Sequence, residues 1–286
     1  MSKLDQFASA FKSAAKAVYA HTPVTMGKVM VVSDLPAERS RRFADDVTDF
    51  LRVLGDRDPV VWHEHGAKPE EDVGDLLDEI ERERPDLICC YRNLHGRARS
   101  FPFSLGAHVD VLTQATTTPV LLLPLPTDDG RLVETCENTD TVLVLTDHLT
   151  GRDRLVDYAL RFTSTGGTLI LAHLEDDAVF ERYLDTIGKI PSIDTDNARE
   201  RIRSQLCKEP HDYICSVREV LAVTAPNLKV EEEVRMGHRI GDCKQLVEEG
   251  DVDLVVMNTK DAEQLAMHGL AHPIAIELRG VPLLML

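Results

Sequence analysis

Residues 86–123, DLICCYRNLHGRARSFPFSLGAHVDVLTQATTTPVLLL, restrict the fold more than any other part of the chain. An apolar run from Leu87 to Tyr91 is short and sharply flanked, as a buried strand is. A polar loop holding Gly96 and Gly106 follows, with Arg92, Arg97 and Arg99 around it. Val109, Leu112 and Ala115 then fall at helical spacing, and Pro119 opens a second apolar run, Val120 to Leu123. Strand, glycine loop, helix and strand make a βαβ unit, and such units build parallel sheets. The loop falls where a strand's carboxyl end meets a helix amino terminus. Free N–H groups and the helix dipole both favour an anion there.

A weaker copy closes the chain. Asp253 to Met257 reads as a strand, residues 258–269 as a loop and Leu270 to Leu278 as a helix, and Pro282 opens a last apolar run. Upstream, VMVVSD ends at Asp34 and VLVLTD ends at Asp147. The order strand–Asp, Asp-Leu–strand, loop, Pro–strand therefore occurs twice, which marks an internal duplication. Asp34 and Asp86 are 52 positions apart, whereas Asp147 and Asp253 are 106 apart. The first half is expected to lack one strand–helix unit that the second retains.

On these motifs each half resembles a universal stress protein domain. In that family the first strand ends in Asp, a later strand begins Asp-Leu, a loop G-x-x-G-x(9)-G-[S/T] follows, and the last strand opens Pro-Val-Leu. The first half reads Asn93-x-x-Gly96-x(9)-Gly106-Ala107, with two of the three glycines and Ala in place of the hydroxyl residue. The second reads Asn258-x-x-Asp261-x(7)-Gly269-Leu270, with one glycine and a shorter loop. The resemblance covers residues 28–126 and 140–286. It implies an α/β fold of two doubly wound, Rossmann-like parallel-sheet domains related by a pseudo-twofold. The expected division is an N-terminal amphipathic helix in 1–27, a trimmed first domain in 28–126, a linker in 127–140 and a second domain in 141–286. It implies that ATP or another adenine nucleotide is held by Ser33, Asp34, Asn93, Gly96, Arg97, Gly106 and Ala107, with Asp147 marking a second, weaker site. It further implies that the last strands, Val120–Leu123 and Leu283–Leu286, pair antiparallel as an intrachain pseudo-dimer. Left open, such apolar edges are an aggregation hazard.

The formal charge of −17 argues against nucleic acid, which is bound through basic residues that neutralise phosphates, and against an anionic membrane surface. The charge is uneven. Residues 1–126 hold 15 basic and 19 acidic residues, the remainder 17 and 30, so an anionic ligand is less disfavoured in the first half. Asp261 in the second loop would repel a phosphate by roughly 1–4 kcal/mol at a few ångströms. No apolar run is long enough for a membrane span, and the N-terminus lacks a signal peptide's apolar core. The six cysteines form no CxxC pair, and a reduced cytoplasmic protein is expected. Residues 3–19 carry Leu4, Phe7, Phe11, Ala14, Ala15 and Val18 at helical spacing, a helix expected to pack on the first domain or on a partner.

Elsewhere helices are expected over 36–54, from Pro69 to about Arg84, over 152–162 and over 237–249. Strands are expected over 60–63, 168–173 and 228–234. Residues 176–225 read as helix broken near Pro191 and Pro210. Asp34 and Asp147 also suit a helix N-cap, and two loop glycines also serve simply to turn the chain. The pairs His63/His65 and His268/His272 each lack an evident third ligand, so no metal is expected. Cys89 reads as core, and no catalytic constellation stands out. The expected function is a stress-response regulator that binds a nucleotide without dedicated catalysis. Its alternatives are a scaffold whose sites have decayed and an ATP-hydrolysing or nucleotidyl-transferring enzyme of the same fold group. A protein partner and further homo-oligomerisation stay open.

Overall fold

The computed structural model of the protein describes residues 17–66, 72–96, 103–190, 194–237, 239–259 and 271–286. The first half supplies β1 (Lys28–Ser33), α1 (Ala37–Phe50), α2 (Arg52–Gly55), β2 (Val61–Gly66), α3 (Val73–Glu83), β3 (Leu87–Tyr91), α4 (Ala107–Ala115) and β4 (Val120–Leu123). The second supplies β5 (Thr141–Thr146), α5 (Asp153–Phe162), β6 (Thr168–Asp176), α6 (Asp177–Ile187), α7 (Thr195–Thr224), β7 (Lys229–Gly237), α8 (Arg239–Glu249), β8 (Leu254–Met257), α9 (Ala271–Glu277) and β9 (Leu283–Met285).

All the described strands join one nine-stranded sheet in the order β2-β1-β3-β4-β9-β8-β5-β6-β7. Every pairing is parallel except β4 with β9, where Val120, Leu121 and Leu122 face Met285, Leu284 and Leu283. The expected pairing of the last strands is thus present, and it merges what would be two sheets into one. Four strands stand on one side of this seam and five on the other, as the spacings of 52 and 106 predict. The extra strand is β7. The central strands β3, β4, β8 and β9 are buried throughout, because a parallel sheet covered on both faces takes continuous apolar runs such as LICCY and VLLL. At one rim, β7 (KVEEEVRMG) is only half-buried, and its run of three glutamates keeps that edge from pairing with another chain.

The Asp-Leu motif has a physical cause that is the same in both halves. Asp86 Oδ2 accepts the N–H groups of Gly27 and Lys28 at 2.8 and 2.9 Å, and its own N–H donates to the Lys28 carbonyl. Asp253 Oδ2 accepts the Thr141 N–H at 2.7 Å, and its N–H donates to the Thr141 carbonyl. Each aspartate pins the start of the neighbouring strand, β1 or β5.

Two expectations change, and a third falls mostly outside the described residues. The helix expected from Pro69 begins at Val73, where Asp72 and Asp75 form a reciprocal capping box; Pro69 itself lies outside the described residues. The break near Pro210 is absent. α7 runs through it, because the helix is long and packs its inner face, Tyr213, Ile214, Val217 and Leu221, into the core on the C-terminal side. Pro191 lies outside the described residues. Of the amphipathic stretch 3–19, residues 3–16 lie outside the described residues, and residues 17–19 reach the second half. The Tyr19 hydroxyl donates to buried Asp157 on α5 at 2.6 Å, His21 Nδ1 meets the same carboxylate oxygen at 2.8 Å, and the Tyr19 N–H donates to Ser216 Oγ on α7.

Two buried arginines also cross between the halves. Arg161 of α5 donates to the carbonyls of Val53 and Leu54 at 3.1 and 2.6 Å, at the end of α2. Arg92, after β3, donates to the carbonyls of Ala275 and Leu278 at the end of α9. Burial lowers the Arg92 pKa to about 10, with nearby Arg279 adding to the effect. No helix among the described residues is long and apolar enough to cross a membrane.

Candidate functional site

β1 and β3 are neighbours, so their carboxyl ends bring Ser33, Asp34 and Tyr91 together. Ser33 is 1% exposed and its hydroxyl accepts the Leu35 N–H at 3.1 Å. The Asp34 carboxylate is held from two sides. The Tyr91 hydroxyl donates to Oδ1, and the His95 N–H donates to Oδ2 at 2.7 Å. Burial, then the hydrogen bond to Asp34, pushes the Tyr91 phenol well up, so it stays protonated and remains a donor. Phe43 packs edge-on against its ring at 5.1 Å.

The loop after β3 doubles back on itself. Asn93 and His95 take left-handed backbone angles, φ 57° and 56°. Asparagine is among the residues that tolerate this conformation, which is how Asn93 stands where the family pattern has glycine. The Asn93 N–H donates to the Leu105 carbonyl at 2.7 Å, its side-chain amide donates to the Ser104 carbonyl at 3.0 Å, and the Gly96 N–H returns to the Asn93 carbonyl at 2.7 Å. Gly106, at φ 92°, lies so close that an added Cβ would sit 2.7 Å from Asn93 Cα. Gly106 is also the N-cap of α4 and offers no side-chain cap, so Ala107 begins a helix whose first amides face the loop without one. The His95 and His108 rings lie with centroids 4.6 Å apart, tilted by 40° to each other.

The structure therefore gathers Ser33, Asp34, Asn93, Gly96, Gly106 and Ala107. Arg97 and Arg99 lie outside the described residues. Arg92, counted among the arginines around this loop, is instead committed to the α9 carbonyls. Tyr91, His95 and His108 were missed. Tyr91 was visible as the last residue of its strand, whereas His95 acts through a backbone N–H that no side-chain pattern reports.

In the second half, Asp147 follows β5 and is half-buried. Asp261, His268 and Gly269 lie outside the described residues. A cavity of about 470 Å³ opens beside the seam, past the carboxyl ends of β8 and β9 and next to the β8–β5 pair where the strand order of the second half reverses. Its walls include Thr116 and Thr118 from the first half and Arg152, Arg154, Asn258 and Thr259 from the second. Such a switch point in an open α/β sheet is a usual ligand position. Among the described residues no group of three or more His, Cys, Asp and Glu side chains is placed to hold a metal. His63 and His65 instead both engage Glu79 of α3, at 2.8 and 3.1 Å. Cys89 is buried and its thiol is pushed well up by that burial, as befits core.

A sequence model described as the universal stress protein family matches residues 138–271. Those residues, just under half of the chain, resemble the universal stress protein family. Solved structures agree on the fold. A universal stress protein from Archaeoglobus fulgidus superposes with a TM-score of 0.52 at 13% identity, covering 91% of this chain and 96% of that one. A protein of unknown function from Pseudomonas aeruginosa gives 0.51 at 12%, covering 91% and 92%. No curated protein matches the sequence. The family match falls on the half with the poorer glycine loop.

Proposed function

We propose that this universal stress-type protein binds an adenine nucleotide, ATP foremost, at the carboxyl edge of its first half, and acts as a regulator without dedicated catalysis. One observation carries the proposal: the loop after β3 folds back through Asn93 onto Gly106 at the uncapped start of α4, and its His95 N–H ties Asp34 to the same loop. The uncapped helix start and its dipole suit phosphate, while the remaining lone pairs of Asp34 suit ribose or adenine donors. The cavity beside the seam favours a second placement, in the other half, with Arg152 and Arg154 meeting the anion.

Calorimetric titration with ATP separates these. Asp34→Ala and Gly106→Val are expected to weaken binding at least tenfold, on the order of one lost charge-assisted contact, with Asp147→Ala and Arg152→Ala neutral. The reverse pattern moves the site to the second half. No heat at all with the wild-type chain removes the nucleotide and leaves a scaffold acting through protein contacts. Accumulation of ADP or of a nucleotidylated product over time contradicts the absence of catalysis.

A further inference from the structure

On the outer side of the second half, well away from these sites in sequence, a thiol, an imidazole and a carboxylate stand in line. Cys215 and His211 are one turn apart on α7, so they share a face. Cys215 Sγ lies 3.7 Å from His211 Nε2. His211 Nδ1 lies 2.7 Å from Glu232 Oε1 on β7. The other Glu232 oxygen takes Arg218 Nη1 at 3.0 Å, and Arg218 Nε donates to the Val230 carbonyl. The carboxylate is thus fixed by strand and helix together. It fixes in turn which imidazole nitrogen carries hydrogen, leaving Nε2 to face the sulfur. Of the other charges on α7, Lys208 pairs with Asp212 at 2.5 Å, and Glu219 stands one turn beyond Cys215. Nucleophile, base and base-orienting group at hydrogen-bond reach are the arrangement that activates a cysteine.

We infer that Cys215 is a reactive thiol that forms a mixed disulfide with a low-molecular-weight disulfide of the glutathione type. His211 takes the thiol proton. The thiolate attacks one sulfur of the small disulfide, that S–S bond breaks and a new one forms to Cys215. The departing half leaves as a thiolate and takes the proton back from His211. Cys215 is oxidised, half of the small disulfide is reduced to thiol, and excess thiol reverses the step. Cys215 is partly exposed, and so is Cys207 on the same helix, whose thiol is pushed up by burial; Cys207 is the internal comparison.

Incubating the full chain with oxidised glutathione at pH 7 and mapping adducts by peptide mass spectrometry is expected to place the first adduct on Cys215, ahead of Cys207. His211→Gln is expected to slow that adduct about tenfold, since an unassisted cysteine is only a few per cent ionised at pH 7, with circular dichroism unchanged. First modification at Cys207 or at a buried cysteine overturns the inference, as does a folded His211→Gln chain reacting at the wild-type rate. The wild-type chain tests it without any variant: an adduct that forms on Cys215 no faster than on Cys207 overturns it.

Discussion

Gly106 combines φ 92° with an Asn93 Cα 2.7 Å from the place a Cβ would occupy. Gly106→Ala is therefore expected to lower stability by about 1–3 kcal/mol, from left-handed strain plus the displaced loop, read as a fall in urea midpoint. Asn93→Gly keeps the same backbone angle available, and its expected change is within about 1 kcal/mol. Glu79 makes a pH-dependent contribution. Burial works to raise its pKa, but the hydrogen bonds from His63 and His65, with the charges of His65 and Arg82, outweigh it and leave the carboxyl below its ordinary 4.5. The stability it adds is complete above the unfolded value and is lost as pH falls through the lower folded one. Urea midpoints between pH 6 and 3 are expected to drop less steeply in Glu79→Gln than in wild type; parallel curves would show that the histidine pair matters only for packing. The two histidines were legible as one strand face, but Glu79 was not, because it comes from a helix 14 or more positions away.

α7 shows where local rules yield to packing. Pro210 has no N–H to give the Leu206 carbonyl, and its ring crowds that turn, yet the helix spans all 30 residues from Thr195 to Thr224. Pro210→Ala is expected to raise stability by about 1–3 kcal/mol, the helix penalty for proline less the lost burial of its ring, measured as a higher thermal midpoint. An unchanged or lower midpoint would mean that the ring's packing dominates. The break expected from sequence at this position came from weighing the proline alone, without the apolar face that continues past it. The strand–Asp, Asp-Leu–strand and Pro–strand motifs were reliable for the opposite reason. Each is tied to sheet hydrogen bonding that the fold requires, such as the pins at Asp86 and Asp253. The loops between those motifs carry fewer such obligations, and the candidate site's Asp34–His95 contact was correspondingly hidden.

At the scale of the whole molecule, the halves are joined by the β4–β9 seam, by the N-terminal residues on α5 and α7, and by Arg92 and Arg161. Arg161 is 3% exposed and its Nη groups serve the last carbonyls of α2. Arg161→Met is expected to cost about 2–4 kcal/mol, the loss of two charge-assisted hydrogen bonds to buried carbonyls. A second, earlier step in its unfolding curve would show that the first half then melts separately. The seam itself was predictable because an apolar last strand needs a partner; the arginines were not, since nothing local tells a surface arginine from a buried one. Because β4 and β9 lie on one chain, their pairing has no dilution limit. Two separate subunits joined by three residue pairs per strand would part as concentration falls, whereas a tether holds the partner at an effective concentration of order millimolar. The thermal midpoint is therefore expected to stay constant over about a thousandfold dilution, where a dimer's would fall. A protein built this way keeps its seam closed however few copies a cell holds.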